Sequence, residues 1–126
     1  MTWKHMNTIR VELAPEFRGE DVVLLAMDGA GVTTFVTALR AAEQRGSSVL
    51  DYDGVTHQFV IRAGAADIEL GEHRVVWRLD HAKAVEIVGN LTAMSSNDGP
   101  GHHYVDIATP TKTLVLSRDE YVLPPP

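Results

Sequence analysis

The sequence predicts an α+β fold, a mostly antiparallel β-sheet with two helices packed on it. The chain has 126 residues, the length of one domain, and 44% of them are hydrophobic, which is enough for a buried core. Alternating segments typical of strands flank two segments with helical periodicity. The sequence also repeats: when Asp28 is aligned with Asp80, most apolar positions on both sides fall on apolar positions. We therefore expect one domain over 1–126 made of two tandem ββαββ units, at about 8–62 and 67–121, related by a pseudo-two-fold axis.

The first unit begins with two predicted strands. Residues 8–13 alternate between polar and apolar side chains, which is typical of a strand with one buried face. Residues 15–21 contain Pro, Gly and charged side chains, and they are predicted to form a connection. Residues 22–27 are a continuous apolar run, which favours a central strand covered on both faces.

A helix and a hairpin complete the first unit. Asp28 is predicted to cap the helix, because its carboxylate can accept from free amides of the first turn. The apolar stripe of this helix falls at Val32, Phe35, Val36 and Leu39. Gly46 marks its end. Strands over 48–52 and 57–62 follow, joined by a tight turn at Asp53 and Gly54.

The second unit repeats this order. Strands over 67–70 and 73–79 precede Asp80, which is predicted to cap the second helix. The stripe of that helix falls at Ala84, Ile87, Val88, Leu91 and Met94. The segment 97–101, with two Gly and one Pro, is expected to end it. Strands over 102–107 and 112–117 close the fold, and the Pro-rich residues 122–126 are predicted to form a loose tail.

Charge and composition limit the classes of function. The chain carries 11 basic and 17 acidic residues and a net charge of −6, which disfavours binding to nucleic acid or to anionic membranes and favours a basic partner. It has no cysteine, so disulfides and thiolate metal sites are excluded, and a reducing cytoplasm is the expected location. Residues 1–7 contain no apolar core, so we expect no signal peptide and no membrane span.

The histidine pair at 102–103 is the first candidate site. Because side chains alternate along a strand, His102, Tyr104 and Asp106 should share one face while His103 lies on the other. A metal ion would need further ligands from His57, His73 or His81. No helical His spacing supports such a site, so we expect neither a metal nor another cofactor.

Recurring aspartates are the second candidate, because paired carboxylates can perform acid and base catalysis. Asp28 and Asp80 each precede a helix, however, where capping explains them. Asp51 and Asp106 lie at strand ends, where aspartate supports the backbone of a turn. The sequence therefore predicts no catalytic residue and no enzyme.

The last third of the chain carries a family resemblance. Residues 101–106, GHHYVD, followed by 114–121, LVLSRDEY, resemble a pattern in small bacterial immunity proteins. In those proteins a helix leads through a Pro-Gly turn to a "GHxYxD" strand and a closing "VxxSxxEY" strand, and their genes often lie beside those of polymorphic or contact-dependent toxins. The resemblance implies a protein that occludes a partner and has no catalytic residues of its own.

We therefore expect a bacterial, cytoplasmic immunity protein that occludes the active site or substrate groove of a cognate toxin. An acidic surface would speed association with a basic groove and block its phosphate sites. The predicted contact residues are acidic positions in turns and at strand ends: Asp51, Asp53, Asp98, Asp119 and Glu120. One alternative is a small enzyme or ligand-binding domain with a pocket between the repeats, lined by His102, Tyr104 and Asp106. Another is a structural or regulatory domain that dimerises through a sheet edge.

Overall fold

The computed structural model describes residues 8–95 and 101–119. Eight strands and two helices lie within these ranges, which confirms the α+β class. Their bounds are β1 (Ile9–Phe17), β2 (Glu20–Met27), α1 (Gly29–Arg45), β3 (Ser47–Tyr52), β4 (Val55–Ile61), β5 (Asp67–Leu70), β6 (Arg74–Leu79), α2 (His81–Ser95), β7 (Gly101–Asp106) and β8 (Thr113–Arg118). Neither helix is long and apolar enough to span a membrane.

The strands form two four-stranded sheets, and each sheet takes one hairpin from each half of the chain. The order is β1-β2-β8-β7 in the first sheet and β3-β4-β6-β5 in the second. Neighbouring strands are antiparallel except for the central pairs β2–β8 and β4–β6, which are parallel. Each half of the chain therefore supplies two strands to each sheet, and neither half forms a sheet alone.

The pseudo-two-fold relation between the halves stays a prediction. The element order ββαββ occurs twice, but the central strand pairs differ in register. Val23 lies opposite Leu114 in the first sheet, whereas Val75, which aligns with Val23, lies opposite His57 in the second. The self-alignment places Phe59, not His57, on Leu114, so the registers of the two central pairs differ by two residues.

The predicted connection over 15–21 is wrong. β1 continues to Phe17, which pairs with Glu20, so the turn shrinks to Arg18 and Gly19. A register shift between Ala14 and Phe17 gives β1 one more residue than β2 over this stretch, which includes Pro15. Such an irregularity at a sheet edge accommodates proline, because an edge strand has backbone groups that pair with no neighbour.

Both helices begin as the sequence predicts. The carboxylate of Asp28 accepts from the Gly31 N–H at 2.7 Å, and that of Asp80 accepts from the Lys83 N–H at 2.7 Å. Gly46 ends α1 with a φ of 94°, a left-handed conformation that costs glycine little. Residues 97–100 of the segment predicted to end α2 lie outside the described residues, as does the predicted tail 122–126.

Both sheets and both helices contribute to one hydrophobic core. Leu39 of α1 and Leu91 of α2 are fully buried, as the repeat predicts. The Phe35 ring packs edge-to-face on Phe59 and Trp77, with ring centroids 5.1 and 5.2 Å apart, so α1 packs on the second sheet. α2 lies against the first sheet, because Met94 of this helix accepts a hydrogen bond from the Arg118 guanidinium at the end of β8.

Candidate functional site

The strand β7 carries the predicted trio His102, Tyr104 and Asp106. All three are exposed, whereas Val105 between them is buried, so they share the outer face of the first sheet as predicted. The rings of His102 and Tyr104 meet edge-to-face at 5.4 Å. None of the three residues lines the cavities described for this structure, and a ligand pocket at this place stays a prediction.

Three of the five acidic positions fall within the described residues. Asp51 and Asp53 are exposed in the β3–β4 hairpin, where the Thr56 hydroxyl donates to the Asp51 carboxylate at 2.7 Å. Asp119 follows β8 and lies 3.4 Å from the Arg118 guanidinium, so its charge is partly compensated. Asp98 and Glu120 lie outside the described part of the chain.

The fold brings several of these carboxylates to one end of the molecule. Burial raises the pKa of the Tyr52 hydroxyl, and the negative charges of Asp28 and Asp53 raise it further. Both aspartates are therefore close enough to Tyr52 to act on its charge. The Asp119 N–H donates to the carbonyl of Met27, next to Asp28, at 2.8 Å. The end of β2 and the β3–β4 turn thus share an acidic surface.

A cavity of about 200 Å³ opens beside this acidic surface. It lies between the start of β1, the β3–β4 turn and the β5–β6 turn. We call it the His57 cavity, after the one fully buried polar residue in its wall. Its apolar wall is formed by Ile9, Val11, Val55 and Val75. Tyr52, Asp53, Glu72 and Arg10 add polar groups.

His57 is held in one orientation by aromatic neighbours. Its ring stacks on Phe59 and Trp77, and the Trp77 indole N–H donates to its Nδ1 at 3.3 Å. Because Nδ1 accepts, the neutral ring carries its proton on Nε2. Burial lowers the pKa of His57 to about 4, so the ring is neutral at physiological pH. The Nε2–H group is buried and has no hydrogen-bond partner among the described residues.

This arrangement does not suit a metal ion. Within residues 8–95 and 101–119, no group of three or more His, Asp or Glu side chains is placed to hold one. His57 could offer a metal only Nε2, because Nδ1 already accepts from Trp77, and Nε2 carries the ring proton. His57 is therefore a neutral, buried side chain in the wall of the cavity, next to both apolar and charged residues.

Sequence reasoning considered His57 only as a possible metal ligand and missed its role in the cavity. One sequence signal was available: side chains alternate between the two faces of a strand, so His57 lies on the same face of β4 as Val55 and Phe59. A histidine on an inward strand face must find partners inside the protein. The cavity itself combines β1 with two distant turns, and no local pattern predicts that combination.

The chain matches no protein-family model, and no curated protein or solved structure is significantly similar to it. Its function is therefore inferred from the chemistry of these residues and from the resemblance of the C-terminal stretch.

Proposed function

We propose that this protein is a cytoplasmic immunity protein that binds a cognate bacterial toxin and occludes its active site or substrate groove. The observation that carries the proposal is the pair of exposed carboxylates Asp51 and Asp53 on the β3–β4 hairpin. Neither forms an ion pair with any described residue, so their charge is available to a partner. The net charge of −6 and the resemblance of residues 101–106 and 114–121 to immunity proteins support the same proposal.

Acidic residues elsewhere in the second sheet are partly compensated, which distinguishes them from those of the hairpin. Arg78 forms ion pairs of 2.9 Å with both Asp67 and Glu69 on the neighbouring strand β5. The single positive charge of Arg78 offsets one of these two negative charges, so the three side chains together carry a net charge of −1. The unpaired carboxylates of the β3–β4 hairpin contribute more, so an approaching basic surface is attracted to this end of the molecule.

Occlusion explains how such a surface neutralises a toxin without chemistry of its own. Enzymes that act on nucleic acid carry basic grooves for phosphate groups. Carboxylates that meet such a groove pair with its cations and exclude the substrate, and long-range attraction raises the association rate. No catalytic residue is needed in the inhibitor, in agreement with the predicted absence of enzyme activity.

The test begins with identification of the partner. The intact protein, immobilised as bait, is exposed to extract of its native host, and retained proteins are identified by mass spectrometry. We expect one predominant partner with a basic active-site groove, whose activity is abolished by an equimolar amount of this protein. A retained partner whose activity is unaffected by saturating protein would overturn the proposal, as would the absence of any specific partner.

A further inference from the structure

The strand β7 forms one edge of the first sheet. It pairs with β8 on one side, and no described strand lies on its other side. Just beyond this ladder, the Ile107 N–H donates to the carbonyl of Lys112 at 3.0 Å. Because bonded and non-bonded pairs alternate along antiparallel strands, the backbone groups of His102, Tyr104 and Asp106 are directed away from β8. This edge therefore presents backbone donors and acceptors to a further strand.

The side chains of the same three residues form a row on the exposed face of β7. Tyr104, in the centre, is 49% exposed, and its ring contacts that of His102 at one end of the row. Asp106 lies at the other end. In an antiparallel copy of this row the order is reversed. Each imidazole then lies opposite a carboxylate, and the two phenol rings lie side by side.

A second copy of the chain, related by a two-fold axis beside Tyr104, gives this pairing. In that register His102 lies opposite Asp106 of the second copy, with their Cβ atoms about 5 Å apart, so an imidazole N–H can donate to the carboxylate. Within one chain these two residues are four positions apart on a strand, a distance of about 13 Å. The pair can therefore form only between two chains.

The other three sheet edges suit a second copy less well. β1 contains Pro15 within an irregular stretch, and proline has no N–H to offer to a further strand. β5 is already contacted by Thr109, whose carbonyl accepts from the Ile68 N–H at 2.9 Å. β3 is regular, but its only charged residue is Asp51, so an antiparallel copy brings no opposite charge to it.

We propose that the protein forms a two-fold symmetric dimer in which the β7 strands of two copies pair antiparallel about Tyr104. The two first sheets then join into one continuous sheet. This interface is separate from the toxin contact that we propose above, because the β3–β4 hairpin belongs to the second sheet. It gives His102, Tyr104 and Asp106 a common role that requires neither a pocket nor a metal ion.

Sedimentation of the intact protein over a concentration series tests self-association. The measurement is made at physiological salt, which screens the repulsion between two chains of net charge −6. We expect the mass to rise from that of a monomer to that of a dimer. A monomer mass at all concentrations up to about 1 mM would overturn the proposal.

Hydrogen exchange of the backbone amides, followed by NMR, locates the interface. The N–H groups of Tyr104 and Asp106 gain acceptors on the second copy, so their exchange should be at least about tenfold slower in the dimer than in the monomer. A dimer in which both amides exchange as fast as in the monomer would place the interface elsewhere and overturn the proposal.

Two charge variants test the antiparallel register. His102→Asp places two carboxylates opposite each other, and Asp106→Lys removes the acceptor of the imidazole. Each change occurs twice in a dimer and should weaken self-association at least about tenfold. A mixture of the two variants should nevertheless form heterodimers about as tightly as the parent protein associates. The introduced carboxylate then lies opposite the introduced ammonium group, while the native pair remains at the other end.

The matched control is His73→Asp, the same change at an exposed histidine between β5 and β6. This variant should associate as the parent protein does. Unchanged self-association of folded His102→Asp, or a mixture of folded variants without heterodimers, would contradict the register. If either variant does not fold, the exchange of the Tyr104 and Asp106 amides in the parent protein decides.

Discussion

The indole N–H of Trp77 donates to Nδ1 of His57 at 3.3 Å, inside the core that both sheets share. The two residues lie on β4 and β6, the parallel central pair of the second sheet, and their rings also stack. One hydrogen bond therefore fixes the tautomer of the histidine, orients its free donor and joins the two strands.

Replacing Trp77 with phenylalanine should loosen this arrangement. The change keeps an aromatic ring but removes the donor and some volume, so Nδ1 of His57 becomes a second unpaired nitrogen. We expect a loss of about 1–3 kcal/mol in the free energy of unfolding, measured by guanidinium denaturation. The ¹⁵N shifts of His57 should then show a mixture of tautomers, and a single tautomer in the folded variant would contradict this role of Trp77.

The buried histidine makes stability depend on pH. The pKa of His57 is about 4 in the folded protein and near its ordinary value of 6.5 in the unfolded chain. Between these values the unfolded chain binds more protons, so the free energy of unfolding rises with pH over this window and falls on acidification. The loss should reach about 3 kcal/mol near pH 4, measured by urea denaturation against His57→Phe, which lacks this titration. Parallel pH profiles for both proteins would show that His57 titrates normally.

The two caps offer a test of local helix chemistry. Asp28→Ala and Asp80→Ala should each lower the free energy of unfolding by about 0.5–2 kcal/mol, because the N–H groups of Gly31 and Lys83 lose their acceptor. Asparagine at either position keeps an acceptor oxygen and should restore most of the loss. Equal destabilisation by alanine and asparagine would mean that the negative charge, and not the hydrogen bond, is the stabilising feature.

The aligned leucines Leu39 and Leu91 should have equivalent roles in the core. Both side chains are fully buried, one in each helix. Alanine at either position should cost about 2–5 kcal/mol, since the truncation leaves a cavity that the surrounding core cannot fill. Thermal or denaturant unfolding measures the loss. A cost below about 1 kcal/mol at one of them would show that its surroundings relax and that the two helices are not equivalent.

The sequence was sufficient where structure is decided locally. The caps at Asp28 and Asp80 and the apolar stripes of the helices follow from spacings of a few residues, and the structure confirms them. It was not sufficient for the pairing of hairpins from different halves of the chain, because strand pairing depends on contacts between distant segments. The bulge near Pro15 was missed for a related reason, since a proline is tolerated once its strand lies at an edge.

The same distinction between local spacing and long-range packing applies to the candidate sites. Alternation along β7 placed His102, Tyr104 and Asp106 on one face, as the structure shows. Their distance from the described cavities depends on how the sheets pack, which alternation does not encode. The role of His57 likewise requires Trp77, twenty positions away in sequence, and a cavity built from three separate segments.

The acidic hairpin gives the final prediction, which concerns the proposed toxin contact. The double variant Asp51→Lys with Asp53→Asn raises the net charge of the protein by three. Position 53 receives asparagine because its φ is 53°, a backbone conformation that asparagine tolerates better than lysine does. The control is Glu20→Lys with Glu16→Asn, which changes the charge equally and also alters a residue of positive φ, 55°. Glu16 and Glu20 are exposed at the far end of the β1–β2 hairpin, away from Ile9 and the cavity.

Association with the identified partner, followed by stopped-flow fluorescence, should be slowed about tenfold by the hairpin variant and much less by the control. The rate for the hairpin variant should also depend less on salt, because fewer charges attract the partner over long distances. Host cells that carry the toxin should lose protection although the variant accumulates normally. Asp119→Lys should have a smaller effect, since Arg118 already compensates that carboxylate. Equal rates and full protection with both double variants would exclude the β3–β4 hairpin from the contact.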